Sequence, residues 1–319
     1  MHTYSSTIAA ITLTFIRQSV MILDKKYIFK LIVGLMIYNL VILNASSAAP
    51  YPPSPIFESI EWDFSTHKRT ASGSDLWATT WAADGNLYST WGDGGGFGGD
   101  DSKGRVYLGV ARIEGSGTSW AGYNVFGGYN GEVSADFIGK ANSIISVDGS
   151  LYISVTEEGK WQRSKIGRSD DNGKTWVFNN GSFANSSWDF AETGGAFSGP
   201  SYIQFGKDNS GALDNYIYLY SRKTKTSSET EMLLARVDKT KIQVRSAYEF
   251  YSGIDENGAP LWTSDLSLAK SVFTDSQNGV NWGHASFYHP IYKRYILTMR
   301  QNDSNGRNEA GQLPLSGHR

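Results

Sequence analysis

Residues 75–93 read DLWATTWAADGNLYSTWGD. An apolar run, an Asp-Gly turn and a second run centred on Tyr88 make a hairpin, because aspartate and glycine tolerate the positive φ that tight turns need. The pattern returns as KANSIISVDGSLYISVTEEG at 140–159, as GPSYIQFGKDNSGALDNYIYLYSR at 199–222 and as HASFYHPIYKRYILTMRQ at 284–301. The tyrosines in the second runs, Tyr88, Tyr152, Tyr218 and Tyr295, are 64, 66 and 77 residues apart. Further strand-like runs follow the hairpins, such as VYLGVARI at 106–113 and MLLARV at 232–237. No stretch after residue 50 keeps a helical period. Antiparallel units of roughly 60–70 residues, each with three or four strands, read as blades of a β-propeller. A β-sandwich would show turn signals every ~8–12 residues without so long a period. The expected fold class is all-β, a β-propeller.

Composition agrees with many turns and few helices: the 319 residues include 35 glycines, 10 tryptophans, 18 tyrosines and 15 phenylalanines. A net charge of -2 excludes the basic field that drives nucleic-acid binding. The absence of cysteine excludes a disulfide scaffold, a thiol nucleophile and a cysteine-ligated metal centre. No G-x-S-x-G, H-E-x-x-H or Walker pattern occurs, which removes common hydrolase and nucleotide-binding classes.

The first 49 residues read as an address. Lys25 and Lys26 precede the apolar run IFKLIVGLMIYNLVIL (28–43), and Ser47 and Ala49 then give the small-x-small spacing of a signal-peptidase site. Met21 makes a more compact start to this segment than Met1. Secretion to the periplasm or exterior is expected, with membrane attachment only through an uncleaved signal. Residues 50–55 (PYPPSP) form a stiff linker. Residues 56–319 form a single propeller domain, expected to be a monomer.

Residues 169–176, SDDNGKTW, match the Asp-box pattern S-x-D-x-G-x-x-W of sialidase-type blades. The aspartate accepts backbone N–H groups, the glycine bends, and the tryptophan plugs the blade, so Asp171 reads as structural.

In a propeller the innermost strand of each blade lines a central channel whose mouth takes small ligands. With a two-residue turn at 84–85, Leu76 pairs near Asp93, and Asp75 and Asp93 share a rim. The same counting brings Lys140 and Glu157 or Glu158 to that rim, then Tyr220 and Arg222, then His284 and Arg300. Paired carboxylates suit glycoside hydrolysis, one donating a proton to the leaving oxygen and the other activating water or attacking the sugar. Asp75, Asp93 and His284 are the candidate catalytic residues. Trp77, Trp91, Lys140, Glu157, Tyr220, Arg222 and Arg300 are the candidate substrate contacts, and Trp120, Trp161 and Tyr129 are further stacking candidates. The loop GDGGGFGGDD (92–101) holds a formal G-x-G-x-x-G, but no helix follows it, which excludes a nucleotide. It is expected to be a flexible loop giving substrate room. No cofactor is expected; calcium at Asp93, Asp100 and Asp101 is the alternative.

The runs SDLWATTWAADGNLYSTWGDGGGFGG, VYLGVARI, FGKDNSGALDNYIYLYS, LARVDKTKI, SAYEFYSG and YKRYILT resemble the exported bacterial family catalogued as domain-of-unknown-function family 4185. The resemblance runs from about residue 56 to about residue 300. It implies a relationship to five-bladed propellers that include furanose-cleaving glycosidases, some distant members being endo-D-arabinanases. Asp75 and Asp93 match acidic positions of its first-blade pattern. The chain departs from it at His289, where an asparagine-like residue is expected. It departs again after Arg300, where NDSNGRNEAGQLPLSGHR (302–319) loses the strand pattern. A propeller closes its ring to hide sheet edges, so a fifth blade cut short is expected. The leading functional expectation is a secreted glycoside hydrolase acting on a polysaccharide or oligosaccharide. One alternative is a lyase on uronate-containing polymers using His284, Tyr220 and Arg222. The other is a non-catalytic sugar-binding surface protein.

Overall fold

A computed structural model describes residues 59, 61–179, 181–224, 229–276, 279–280 and 285–298. Residues 1–49, expected to be a signal, the expected linker 50–55, His284, Arg300 and the run after them lie outside the described residues.

The fold is all-β and of propeller type. β1 (Thr79–Trp81), β2 (Leu87–Trp91), β3 (Gly109–Ser116) and β4 (Ser119–Phe126) form an antiparallel sheet in chain order. β5 (Lys140–Val147), β6 (Ser150–Thr156), β7 (Ser164–Ser169) and β8 (Val177–Phe178) repeat the arrangement. In the third unit β9 (Ser201–Gln204), β10 (Tyr216–Arg222), β11 (Glu231–Asp238), β12 (Glu249–Ile254) and β13 (Pro260–Thr263) again run outward in order, and β14 (Ser271–Thr274) pairs with the other end of β11. β15 (Ala285–His289) and β16 (Arg294–Thr298) form the fourth hairpin. β15 pairs in parallel with β9, so the third and fourth units share one sheet. Among the described residues no helix is long and apolar enough to cross a membrane.

Alternation decides what each sheet buries. On β10, Ile217 and Leu219 are buried with Ile145, Ile166, Phe197 and Tyr202 in the core between the second and third units. Tyr88, Val110, Ile144, Leu151 and Trp176 lie in the core between the first and second. Two aspartate turns close their hairpins alike: Asp84 Oδ2 accepts from Tyr88 Oη at 2.9 Å, and Asp214 Oδ2 accepts from Tyr218 Oη at 2.7 Å. In the turn at 169–176, Asp171 Oδ1 accepts from Thr175 N–H at 2.9 Å and Trp176 Nε1 donates to Gly173 O at 3.1 Å.

One turn differs from expectation. Asp148 and Gly149, with φ of 49° and 83°, make the expected two-residue turn between Val147 and Ser150. At the first hairpin Ala82 N–H donates to Asn86 O, and Gly85 N–H donates to Ala82 O with Gly85 at φ 92°. That is a three-residue loop closed by a left-handed glycine. The register shifts accordingly: Asp75 pairs with Gly92, a register that a two-residue turn at 84–85 does not give.

The inner strands are joined largely by side chains. Thr80 Oγ1 donates to Gln204 Oε1 at 2.9 Å and accepts from Ser146 N–H at 3.0 Å. Gln204 Nε2 donates to Ile144 O at 2.7 Å, and Tyr202 N–H donates to Ser143 Oγ at 2.9 Å.

Candidate functional site

The N-terminal ends of the four inner strands and the segment leading into β1 surround a cleft of about 520 Å³. Asp75, Trp77 and Asp93 line it from the first unit, Asn142, Ser143 and Trp161 from the second, Tyr202 and Gln204 from the third, and Ala285 and Ser286 from the fourth.

Asp75 is fixed by two backbone bonds, its N–H to Gly92 O at 2.9 Å and its carbonyl from Gly92 N–H at 2.8 Å. It sits at the open rim, accessible on one side and packed on the other. Burial first, then the charge of Asp93, pushes its carboxyl above the usual range; Lys140 and Arg105 oppose that shift. Asp93 adopts φ 57°, a conformation aspartate tolerates. Arg105 Nη1 donates to its carbonyl at 2.6 Å, and Nη2 to its Oδ1 at 3.1 Å. Lys140 is buried, 2% exposed at its side chain, with Nζ 2.5 Å from Asp93 Oδ1 and 3.8 Å from Glu158 Oε2. The contact with Asp93 is an ion pair lying off the hydrogen-bond direction. A Cβ on Gly92 would lie 3.3 Å from both Asp75 Oδ1 and Lys140 Cδ, so glycine there lets the two flank one backbone position.

The structure thus brings together Asp75, Asp93, Trp77 and Lys140. Other candidates fall elsewhere. Trp91 is 1% exposed beneath Trp77, their rings stacked at 5.7 Å, and its indole donates to Gly94 O at 3.1 Å. It is a core residue and lies outside the cleft lining. Glu157 forms an ion pair with Arg163, and its N–H donates to Arg163 O at 3.0 Å; it closes the base of a loop, while Glu158 approaches Lys140. Tyr220 lies on β10, one strand outward from the cleft, on the face opposite Ile217 and Leu219; burial and then the neighbouring Tyr295 push its hydroxyl up to about 12. Arg222 ends the same strand, buried; desolvation lowers it to about 10 against the charge of Glu229. Neither lines the cleft, because both stand on β10, one strand outward from β9, which borders it. The faces of Trp120 and Tyr129 are covered by Lys68 and Lys103, at 4.2 Å and 3.7 Å.

The glycine loop is a packed plate. Asn124 Nδ2 donates to the carbonyls of Gly95, Phe97 and Tyr129, and its Oδ1 accepts from Phe97 N–H. A Cβ on Gly96 or Gly109 would lie 2.6 Å or 2.2 Å from the Trp91 ring. Gly96 and, on β3, Gly109 make room for tryptophan, while Gly94 abuts Ser74 and Gly95 and Gly99 abut Lys103 O. Asp100 caps the turn at Ser102 and Lys103, Asp101 pairs with Arg105, and among the described residues no group of three or more acids and histidines could hold a metal.

Trp161 was expected only as one of several stacking candidates, whereas Asn142, Ser143 and Gln204 were not expected at all. Their signal is polarity inside otherwise apolar inner strands.

No curated protein sequence matches the chain. Among solved structures it is similar to the Trypanosoma rangeli sialidase, at 13% identity and TM-score 0.38 over 70% of this chain and 29% of that one. It is also similar to a leech intramolecular trans-sialidase, at 16% and 0.37 over 69% and 26%. A third is a GH43_1 enzyme from Xanthomonas citri, at 14% and 0.39 over 79% and 75%. The chain spans under a third of the length of the two sialidases. Likenesses of this strength place no site residue. Residues 140–309 match the model of the family described as domain of unknown function DUF4185; that is more than half of the 319 residues, and the chain belongs to this family.

Proposed function

We propose that this chain is a secreted glycoside hydrolase that cleaves a polysaccharide at the cleft, with Asp75 and Asp93 as its carboxylate pair. The observation that carries the reading is the unequal setting of two acids on one rim. Asp75 is partly buried beside a like charge, which favours its protonated form. Asp93 is ion-paired with Lys140 and Arg105. A proton donor next to a second carboxylate that can take a proton from water is what glycosidic cleavage requires. In the proposed step Asp75 gives its proton to the leaving oxygen as the glycosidic C–O bond breaks. Water bonds to the anomeric carbon and passes its proton to Asp93. Trp77 supplies a partly exposed aromatic edge to the same cleft. Export by the segment 1–49 belongs to this reading, as does a monomeric state.

A polysaccharide panel, read for new reducing ends and for the ultraviolet absorbance of an unsaturated sugar, tests it. Reducing ends without absorbance, lost in Asp75→Asn and in Asp93→Asn while the melting curve is kept, are expected. Absorbance would replace hydrolysis with elimination. Full activity in both variants would remove the assignment of the pair.

A further inference from the structure

Trp161 lines the cleft from the loop between β6 and β7 with φ 60°, a left-handed conformation that is costly for a bulky side chain. The loop holds it there: Trp161 N–H donates to Glu157 O at 3.2 Å, and the Glu157–Arg163 pair clamps the base. Leu76, at φ 59°, lines the same cleft and leads into Trp77. Such strain persists where the surroundings over-determine it, and it gathers at binding sites.

On the second unit's inner strand, Asn142 is 5% exposed and lines the cleft. Its amide orientation follows from its neighbours. Thr156 Oγ1 donates to Ser198 O, so it can only accept from Asn142 Nδ2. Asn142 Oδ1 is left buried without a partner. An unpaired buried acceptor is unfavourable until a donor arrives. The described lining holds no lysine or arginine; its charged members are Asp75 and Asp93, and the nearby Lys140 is paired to Asp93.

We infer that the cleft binds a neutral sugar ring, stacked on Trp161 and donating a hydroxyl hydrogen bond to Asn142 Oδ1, and that it rejects acidic sugars such as uronates. The inference rests on reading the cleft as a carbohydrate site, not on the sugar being cleaved there.

Affinity electrophoresis of the full chain in gels cast with arabinan, arabinogalactan, xylan or polygalacturonate tests it, beside reducing-end release from the same polymers. Retardation by at least one neutral polymer and none by polygalacturonate is expected. Trp161→Ala, Trp161→Gly and Asn142→Ala should each weaken that retardation, the tryptophan variants by about tenfold in apparent Kd. Trp161→Gly should melt no lower than Trp161→Ala, because glycine takes positive φ freely; a folded variant that no longer binds then separates recognition from structure. Preference for polygalacturonate, no retardation by any neutral polymer, or unchanged retardation in both Trp161 variants would overturn the inference. Retardation that depends on Trp161 without release of reducing ends would leave it standing and sink the hydrolase reading. Release of reducing ends with KM unmoved in the Trp161 variants would do the reverse.

Discussion

Asp189 offers a quantitative test of the packing behind the second unit. Its side chain lies in the core between the second and third units, 6% exposed, and its Oδ2 accepts from Ile166 N–H at 2.7 Å. Burial pushes its carboxyl up from the ordinary 3.8 to about 6, against the opposing hydrogen bond from Ile166 and the charge of Lys165. Lys165 is not a close partner, because its ammonium donates to Ser186 O, at 2.6 Å, and to Phe183 O. A folded-state pKa raised above the unfolded value gives stability that is complete below about pH 4 and is lost as pH rises through about 6. The interval of about two units corresponds to roughly 3 kcal/mol at neutral pH. Asp189→Asn keeps an oxygen for Ile166 N–H and cannot ionise. Its stability relative to the parent should therefore improve by about 3 kcal/mol between pH 4 and pH 7, or roughly 6–12 °C in Tm for a domain of this size. Other carboxylates, such as Asp170 and Asp171, are held below their usual range by hydrogen bonds and tilt the absolute curve the other way. The readout is therefore the difference between parent and variant in urea melts at pH 4, 5.5 and 7. A constant offset across that range would show that Asp189 titrates like an exposed acid, and the reasoning would fail.

Three further outcomes are expected. If Asp75 must be protonated to act, Lys140→Met and Arg105→Leu should each move the alkaline limb of the activity profile to higher pH, since both cations lower the pKa of Asp75; movement to lower pH would contradict its role as acid. Gly109→Ala places a Cβ 2.2 Å from the Trp91 ring and should cost about 1–3 kcal/mol by urea unfolding, with a neutral result showing that the plate is loosely packed. Glu157→Gln loosens the clamp under Trp161 and should raise KM with little change in kcat; an equal fall in kcat would put Glu157 in the chemistry instead.

The hairpin pattern was legible because turn chemistry and alternation are local. Asp148-Gly149 specifies its turn within two residues, and the tyrosines of the second strands sit where alternation puts them. Asp84-Gly85 looked the same, yet Ala83 joins the loop and the register slips. Asp75 and Asp93 kept their rim through that slip because the rim depends on which end of the hairpin a residue occupies. The glycines at 94–99 misled for a physical reason: glycine marks backbone freedom or close approach, and only the groups packed against them, such as Ser74, Lys103 O and Asn124, decide which. Gln204 was out of reach because its partners come from other units. Thr80 and Gln204 are 124 residues apart in sequence. His284 and Arg300 lie outside the described residues.

The inner strands explain why the site opens where it does. A sheet brings neighbouring strands to backbone hydrogen-bonding distance and leaves no space between them. β1, β5 and β9 are linked instead by Thr80, Ser143, Ser146 and Gln204, so at least one side chain separates each pair of backbones. Two of the linking residues, Ser143 and Gln204, also line the cleft. In the same lining, Asp75 is held by the edge bridge to Gly92, and Asn142 has its amide turned by Thr156. The polar links therefore do two things at once: they fix the strands to one another, and they keep them apart at the end where the carboxylates stand. A purely apolar axis would pack these positions closed, as the cores between the units do. Polar residues buried on the axis are thus a condition of the cleft, and of any ligand reaching the acids at its rim.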